Sequence, residues 1–344
     1  MLFTSADQIM ELLLNLSAKG NYVFRGYENQ AQLLPGLIRY DDLSEKEMNL
    51  LSDFERYGLQ YFSPSTTFDF LSTAQHFGLP TRLVDFTYNP FIALAFALNS
   101  PKTKGDYYIR YCDTQENPVF ACLNFSEGDS AERYHDSVAM QCGEMISRLE
   151  KYTEKELIEF LRRCPKTDGR TLNYNQAKEL AKRVMNRKAV LLISPNLANQ
   201  RIMSQQGLFM YSLYMDKSVH IETIKNSTKL ICINSFFREE LISRLDVLGY
   251  NIYRLMPDLM NVCAAIKTNA TGNNGERMVF STKTIACLKT LNEYELKQIA
   301  NGRLKNRDLQ AKLAGCLPIQ DNQVKDKKFV ALVKSLLASN RDVE

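Results

Sequence analysis

The sequence predicts an α+β (mixed α/β) fold, in which helices flank a central, mostly antiparallel sheet of about six short strands, and a small C-terminal helical domain follows. Short runs rich in β-branched and aromatic residues alternate with segments whose apolar residues recur at helical spacing. Hydrophobic residues make up 45% of the 344 residues, enough to fill an ordinary core. A polar, glycine- and asparagine-rich stretch at 268–278 predicts a linker between residues 1–267 and a helical domain at 279–344.

Helices and strands alternate in the N-terminal third. Ser5 and Gln8 have the spacing of a capping box, as do Ser44 and Glu47, and each pair predicts the start of a helix. Asn89 followed by Pro90 predicts an N-cap for a helix that is apolar on every side and therefore central. The other elements predicted here are strands at 21–26 and 82–86 and a helix at 68–77.

The rest of the chain continues the sheet and then becomes helical. Residues 130–187 predict a mainly helical insertion packed on one side of the sheet. The further strands are predicted at 106–111, 118–123, 189–194, 208–213 and 229–234. The later helices are predicted at 239–248, 257–267, 281–300, 304–314 and 327–339.

Composition excludes several classes of protein. The eight cysteines form no CxxC pair and the three histidines lie apart from any cysteine pair, so we expect no metal site. The first residues lack the order of a secretory signal, so the cysteines need not form disulfides, and we expect a cytoplasmic protein. The longest apolar run, residues 90–98, is half of what a membrane-spanning helix needs, so we expect no membrane partner.

Positive charge is concentrated in the tail. The net charge is +4, and residues 270–344 hold 13 Lys and Arg against 8 Asp and Glu. A charge-rich helical tail is typical of a solvated surface, and contact with nucleic acid is the alternative.

Three blocks carry candidate chemistry. The first is Phe24-Arg25-Gly26, an arginine at the end of a buried-looking strand. Such an arginine needs an anion, supplied by a ligand or by a carboxylate of the chain. The glycine after it leaves room beside the backbone.

The second block runs from Gln75 to Thr87 and concentrates polar side chains in a helix end, a turn and a short strand. By the alternation of an extended chain, Thr81, Asp85 and Thr87 would share one face, and Arg82 would point to the other. His76 at the helix end is either a catalytic group or a hydrogen-bonded structural histidine.

The third block, residues 199–209, contains Arg201 and Gln205 and runs into a strand through Gly207. Its adjacent glutamines are also compatible with ordinary surface polarity.

Together, the three blocks and Pro257-Asp258-Leu259 resemble the FRG-domain family over residues 20–265. That family has Phe-Arg-Gly, then Gln-His-Tyr-Gly-Leu-Pro-Thr-Arg-Leu-Leu-Asp-Trp-Thr leading through Asn-Pro into an apolar helix, then Arg-Ile-x-x-Gln-x-Gly-x-Phe. The sequence departs at Phe77, Val84 and Phe86, each apolar for apolar. The resemblance does not extend to the tail.

The order of the blocks is also similar to the split NAD site of ADP-ribosyltransferases. That similarity implies that NAD is a substrate and that the polar blocks converge on one cleft able to hold a dinucleotide. It implies that Gln205 occupies the position of the usual catalytic Glu. Because an amide cannot act as a base, it also implies that Asp85 or His76 accepts the proton instead. The residues expected to hold NAD are Arg25, Gly26, Thr81, Arg82, Thr87 and Arg201.

Three functions stay open at this point. The resemblance implies an NAD-dependent ADP-ribosyltransferase-like effector of a bacterial toxin or anti-phage defence system, with protein or nucleic acid as acceptor and an antitoxin or chaperone as partner. The alternative is a non-catalytic nucleotide- or phosphate-binding module in a defence or stress system. In the third, the polar blocks only stabilise the sheet and the tail carries the function.

Overall fold

The fold is that of a computed structural model. The structure describes residues 3–40, 43–58, 60–61, 66–100, 105–121, 137–195, 200–256, 263, 287–288, 290–302, 304, 307–314, 316–320 and 323–338. The predicted linker, the helix predicted at 257–267 except Cys263, the motif residues 257–259 and the first residues of the predicted insertion lie outside these ranges.

A seven-stranded mixed sheet forms the centre of the protein, so the predicted α+β class is confirmed. Its strands are β1 (Tyr22–Tyr27), β2 (Leu83–Thr87), β3 (Asp106–Asp113), β4 (Val119–Phe120), β5 (Leu191–Ile193), β6 (Gly207–Tyr211) and β7 (Lys229–Asn234). Their order across the sheet is β4-β5-β6-β2-β1-β3-β7, and only the pair β4 and β5 is parallel. Strands β2 and β1 are therefore central.

The central pair β1 and β2 is joined at one point. Phe24 lies opposite Thr87, and no other residue pair is registered between these two strands. By contrast, β1 pairs with β3 over six residues and β2 pairs with β6 over five. The sheet is thus divided at its centre into two half-sheets, β4-β5-β6-β2 and β1-β3-β7.

One face of the sheet carries most of the helices. Phe24, Ile109 and Ile233 face helices α1 (Ala6–Ala18) and α5 (Pro90–Ala97) in one core cluster. Leu83 and Phe209 belong to a second cluster, which also contains residues of α3 (Glu47–Gly58) and α4 (Thr67–His76). The short helix α2 (Gly36–Arg39) lies between the first two strands in sequence.

The predicted helical insertion packs on this same face. It forms α6 (Val138–Lys151), α7 (Glu154–Arg163) and α8 (Tyr174–Met185), whose apolar stripes bury residues such as Leu149, Leu161 and Leu180 in the second cluster. Each of the three helices begins with a side-chain cap, from Ser137, Thr153 and Asn173 respectively.

The other face is covered more thinly. Val23, Tyr27 and Val84 form a third cluster with Leu33 and with Ile224. Leu33 lies in a 3₁₀ turn at Gln30–Leu33, and Ile224 lies in α10 (Lys217–Ser227), which follows α9 (Gln200–Ser204).

The C-terminal helices share the first cluster. After α11 (Arg238–Val247) and α12 (Ile252–Leu255) come α13 (Glu293–Ala300), α14 (Arg307–Ala314) and α15 (Lys327–Ala338). Leu296, Leu309 and Phe329 are buried with α1 and α5 residues in one continuous cluster. A short hairpin, Ile319–Gln320 with Gln323–Val324, interrupts the region that was predicted to be only helical. The domain boundaries themselves stay a prediction.

One helix start was predicted wrongly. Ser5 does cap α1, accepting from the amide of Gln8. Ser44, however, begins a 3₁₀ turn and α3 starts at Glu47, whose carboxylate binds the Arg82 side chain instead of a helix amide. A charged partner outside the helix outcompetes the local cap. None of the helices in the described part of the chain has the length and apolar character to cross a bilayer.

Candidate functional site

Arg25 occupies the divide between the two central strands. Its Nη1 donates to the main-chain oxygen of Asp85 on β2 at 2.6 Å, and its Nη2 donates to the main-chain oxygen of Gln32. The side chain is 10% exposed, and its Nε is buried without a hydrogen-bond partner among the described residues. Burial lowers the pKa of Arg25 to about 10, so the group stays charged at neutral pH. The buried Arg25 guanidinium, whose Nε–H is still available as a hydrogen-bond donor among the described residues, therefore lies where the sheet is split.

The Asp85 carboxylate is exposed beside this arginine and is held in place by an amide. Its Oδ1 accepts from Gln75 Nε2 at 2.7 Å, and Gln75 Oε1 accepts from the hydroxyl of buried Thr81. Asp85 Oδ2 lies 3.9 Å from Arg25 Nη1, and the Asp85 side chain is 63% exposed. The arrangement presents an oriented carboxylate to solvent at the edge of the divide.

Thr87, on β2, meets Gln205 in the turn before β6, and both side chains already make hydrogen bonds within the protein. The Thr87 hydroxyl donates to the Gln205 main-chain oxygen at 2.7 Å and accepts from the Asn89 amide at 3.0 Å. Gln205 Nε2 donates to the Leu255 main-chain oxygen at 2.9 Å. These bonds connect β2, the turn before β6 and α12.

Comparison with known proteins identifies the first two blocks. Residues 20–106 match the family model of the FRG domain. The chain contains an FRG domain. Searches of curated proteins and of solved structures found no match.

The FRG-domain match covers β1 through α5 and ends where β3 begins. It therefore includes Arg25, the Gln75–Asp85 pair and Thr87, whereas Arg201 and Gln205 of the third block lie outside it. The expected likeness to ADP-ribosyltransferases stays a prediction.

Gly26, expected at a nucleotide, has a packing role within the FRG domain. A Cβ at this position would lie 2.6 Å from the carbonyl carbon of Ala93 and 2.9 Å from the amide nitrogen of Ala97. Only glycine lets the backbone of α5 approach β1 this closely. The residue keeps the apolar helix against the central strand.

Arg82 lies apart from the divide. It is 1% exposed, and its Nε donates to Glu47 at 2.8 Å while Nη2 bonds both Glu47 and, at 3.1 Å, Glu150 of the insertion. Although burial acts in the opposite direction, Tyr211 and the two glutamates raise the pKa of Arg82. Arg82 precedes β2, so the alternation of side chains along a strand does not determine the direction of its side chain. Through its two glutamate partners, Arg82 joins α3 and α6 to the sheet.

The two remaining predicted residues stand at helix ends. His76 is the last residue of α4, half-buried, with its ring 4.8 Å from the ring of Phe77. Arg201 lies in α9 and is half-buried. Arg82, bonded to Glu47 in α3 and to Glu150 in α6, shows that the nine predicted residues do not form one group.

Several buried polar residues around the FRG domain gave no sequence signal. His220 is 2% exposed; it bonds the Leu33 main-chain oxygen through Nε2 at 3.0 Å and the Ser212 hydroxyl through Nδ1 at 2.7 Å. Burial, opposed by the bond to Leu33 and aided by the charge of Arg25, lowers the pKa of His220 to about 4, so the ring is neutral at pH 7. The main-chain oxygen of Gln32 also contacts Arg25, through a fold-dependent hydrogen bond that no spacing rule reveals.

The dinucleotide-sized cleft on which the polar blocks are expected to converge stays a prediction. A cleft of about 750 Å³, within the usual range for ligands, is lined by Tyr88, the β3–β4 loop and α8 and by none of the nine predicted residues. Its basic side chains are already paired, Lys166 with Asp168 and Arg183 with Glu116. In the part of the chain that the structure describes, no three His, Cys, Asp or Glu side chains form a group suited to a metal ion.

Proposed function

We propose that the protein is a cytoplasmic, NAD-dependent ADP-ribosyltransferase-like effector of a bacterial toxin or anti-phage defence system, and that NAD binds at the divide between β1 and β2. One observation carries the proposal. A buried, charged Arg25, whose Nε has no hydrogen-bond partner in the described part of the chain, lies in the split of the central sheet, 3.9 Å from the exposed carboxylate of Asp85.

The order of the strands supports this proposal. The split NAD site that the sequence resembles takes one group from each of three strands. Arg25 lies on β1, Thr87 lies on β2 and Gln205 lies just before β6. These three strands are neighbours in the sheet, in the order β6-β2-β1. Arg25 remains a cation at neutral pH, and a guanidinium suits phosphate oxygens.

Asp85 is the residue that fits the catalytic role. In the proposed reaction the glycosidic bond between nicotinamide and ribose breaks, nicotinamide leaves, and the ADP-ribosyl group of NAD forms a bond to the acceptor, which loses a proton. A carboxylate fixed by Gln75 supplies negative charge near a developing cation and can accept a proton from the acceptor group. Gln205 can do neither, because an amide is neutral and its Nε2 is already bonded to Leu255.

A second candidate is a non-catalytic nucleotide- or phosphate-binding module. The hydrogen bonds of Thr87 and Gln205 within the protein favour it, since these two side chains then serve the fold and leave recognition to Arg25 alone.

Label transfer separates the two functions and identifies the acceptor. The full chain is incubated with bacterial lysate and NAD labelled in its adenine, and protein, RNA and DNA fractions are counted. A transferase labels one fraction, and Asp85→Asn, which keeps an oxygen acceptor for Gln75, abolishes the label. Asp53→Asn, at an exposed carboxylate of α3, is the matched control and retains it. Unlabelled fractions with intact NAD would favour the binding module.

A further inference from the structure

A chain of three hydrogen bonds connects the interior of the protein to the Asp85 carboxylate. The main-chain amide of Leu83 donates to the Thr81 hydroxyl at 3.2 Å, and that hydroxyl donates to Gln75 Oε1. Gln75 Nε2 then donates to Asp85 Oδ1 at 2.7 Å. Thr81 is 2% exposed, Gln75 is half-buried and the Asp85 side chain is 63% exposed. The chain of bonds therefore ends on the exposed carboxylate that is proposed for the chemical step.

The direction of this chain is fixed by the chemistry of its two ends. A main-chain amide can only donate, so the bond from Leu83 uses the Thr81 oxygen as an acceptor and leaves the hydroxyl proton for Gln75. The Gln75 atom that receives this proton is the oxygen, and the nitrogen of the same amide then faces Asp85. An ionised carboxylate can only accept, which agrees with this orientation. The buried hydroxyl thus selects the orientation of the Gln75 amide.

The main chain of Thr81 is held as firmly as its hydroxyl. The amide of Leu37, in α2, donates to the main-chain oxygen of Thr81 at 3.3 Å. A Cβ on Gly36 would lie 2.9 Å from Pro80 Cα and 3.3 Å from the main-chain nitrogen of Thr81, so α2 packs directly on this turn. The donor that orients Gln75 is therefore fixed to a packed helix on one side and to β2 on the other.

We propose that Thr81 and Gln75 are positioning residues, which set the direction in which the Asp85 carboxylate meets the substrate. The effect on ADP-ribosyl transfer rests on the proposed function, whereas the chain of hydrogen bonds stands without it. In the absence of the Thr81 hydroxyl, the Gln75 amide can turn and bring its oxygen against the carboxylate. Two acceptors repel each other, so Asp85 loses the bond that orients it. This role differs from the direct contact with NAD that the sequence predicts for Thr81.

Heteronuclear NMR of the full, isotopically labelled chain observes the Gln75 side-chain amide directly. Its signals are those that disappear in Gln75→Glu. We expect Thr81→Val, which keeps the shape of the side chain without the hydroxyl, to shift these signals and to speed their exchange with water at least about tenfold. Thr81→Ser keeps the hydroxyl and should retain the wild-type signals. Thr171→Val, at an exposed threonine before α8, is the matched control and should also retain them.

Release of nicotinamide from NAD, with saturating lysate as acceptor, measures the consequence for the carboxylate. We expect Thr81→Val to lower kcat at least about tenfold and to leave the KM for NAD nearly unchanged, because Thr81 orients a catalytic group without touching the substrate. Thr81→Ser should restore kcat. If circular dichroism shows that Thr81→Val is unfolded, Gln75→Met, which removes the amide and keeps the length of the side chain, carries the kinetic comparison.

The outcomes separate this inference from the proposed function. Wild-type Gln75 signals in Thr81→Val, or an equal change in Thr171→Val, would overturn the chain of hydrogen bonds. Changed Gln75 signals in a protein that releases no nicotinamide would support the positioning of Asp85 and discard the transferase. Release by Thr81→Val with wild-type kcat, or with only KM raised, would overturn the positioning role and retain the transferase.

Discussion

The hydroxyl of Thr87 donates a hydrogen bond to the main-chain oxygen of Gln205 at 2.7 Å and so joins the FRG domain to the third sequence block. The Thr87 hydroxyl oxygen also accepts from the main-chain amide of Asn89, the residue that caps the apolar helix α5. One side chain thus connects β2, the turn before β6 and the start of α5.

Replacing Thr87 by valine removes both bonds while keeping the shape of the side chain. We expect the free energy of unfolding to fall by roughly 1–3 kcal/mol, because the half-buried Gln205 oxygen and Asn89 amide lose their partner. Thr87→Ser keeps the hydroxyl and is the control, expected to cost less. Urea unfolding of the three proteins checks this; equal stability of the valine and serine variants would contradict it.

Gly26→Ala is expected to prevent α5 from packing on β1. The added methyl group overlaps the Ala93 backbone, which cannot move without displacing the helix, so we expect a loss of about 3 kcal/mol or more. Gly20→Ala is the matched control, since no atom lies within 4 Å of its Cβ and only its φ of +71° opposes alanine. It should cost about 1 kcal/mol. Thermal unfolding and soluble yield compare the two.

Arg82→Met is expected to destabilise the protein by about 3–5 kcal/mol, because it leaves the Glu47 carboxylate buried without its cation. The double variant Glu47→Met with Arg82→Met removes both charges and should recover part of that loss. A double-mutant cycle by urea unfolding measures the coupling. Additive losses from the two single variants would show that the buried pair does not contribute as a unit.

His220 makes stability depend on pH. Its pKa is about 4 in the folded protein and near 6.5 when unfolded, so the unfolded state binds a proton first as the pH falls. The contribution is intact above pH 6.5 and is lost between pH 6.5 and 4; we expect a loss of roughly 2 kcal/mol between pH 7.5 and 5. His220→Gln should be less stable at pH 7.5 but flatter over this range. An unchanged slope in that variant would contradict the assignment.

Local rules predicted most of the fold. All seven strand segments appear, and the N-caps at Ser5 and Asn89 are correct, because side-chain alternation and capping depend on neighbouring residues. The failure at Ser44 and Glu47 has a different cause. The Glu47 carboxylate pairs with an arginine 35 residues away, a contact that exists only after β2 and α3 have packed.

The candidate site could be predicted in part. The sequence identified Arg25 and Asp85 and the polar density around them, but it could not separate residues that face a ligand from residues that hold the fold. Gly26 packs a helix, Arg82 joins the insertion and Thr87 bridges strands, each through partners distant in sequence. His220 was missed for the same reason, since its bonds to Leu33 and Ser212 join residues that only the fold brings together.

Release of nicotinamide from NAD by the purified protein, with lysate supplied as acceptor, tests the central claim most directly. We expect release by wild type and by Asp53→Asn and a loss of at least a hundredfold in Asp85→Asn, because the oriented carboxylate is the one charged group proposed for the chemical step. Release by Asp85→Asn at the wild-type rate, or no release by wild type in a lysate that contains its acceptor, would contradict the account.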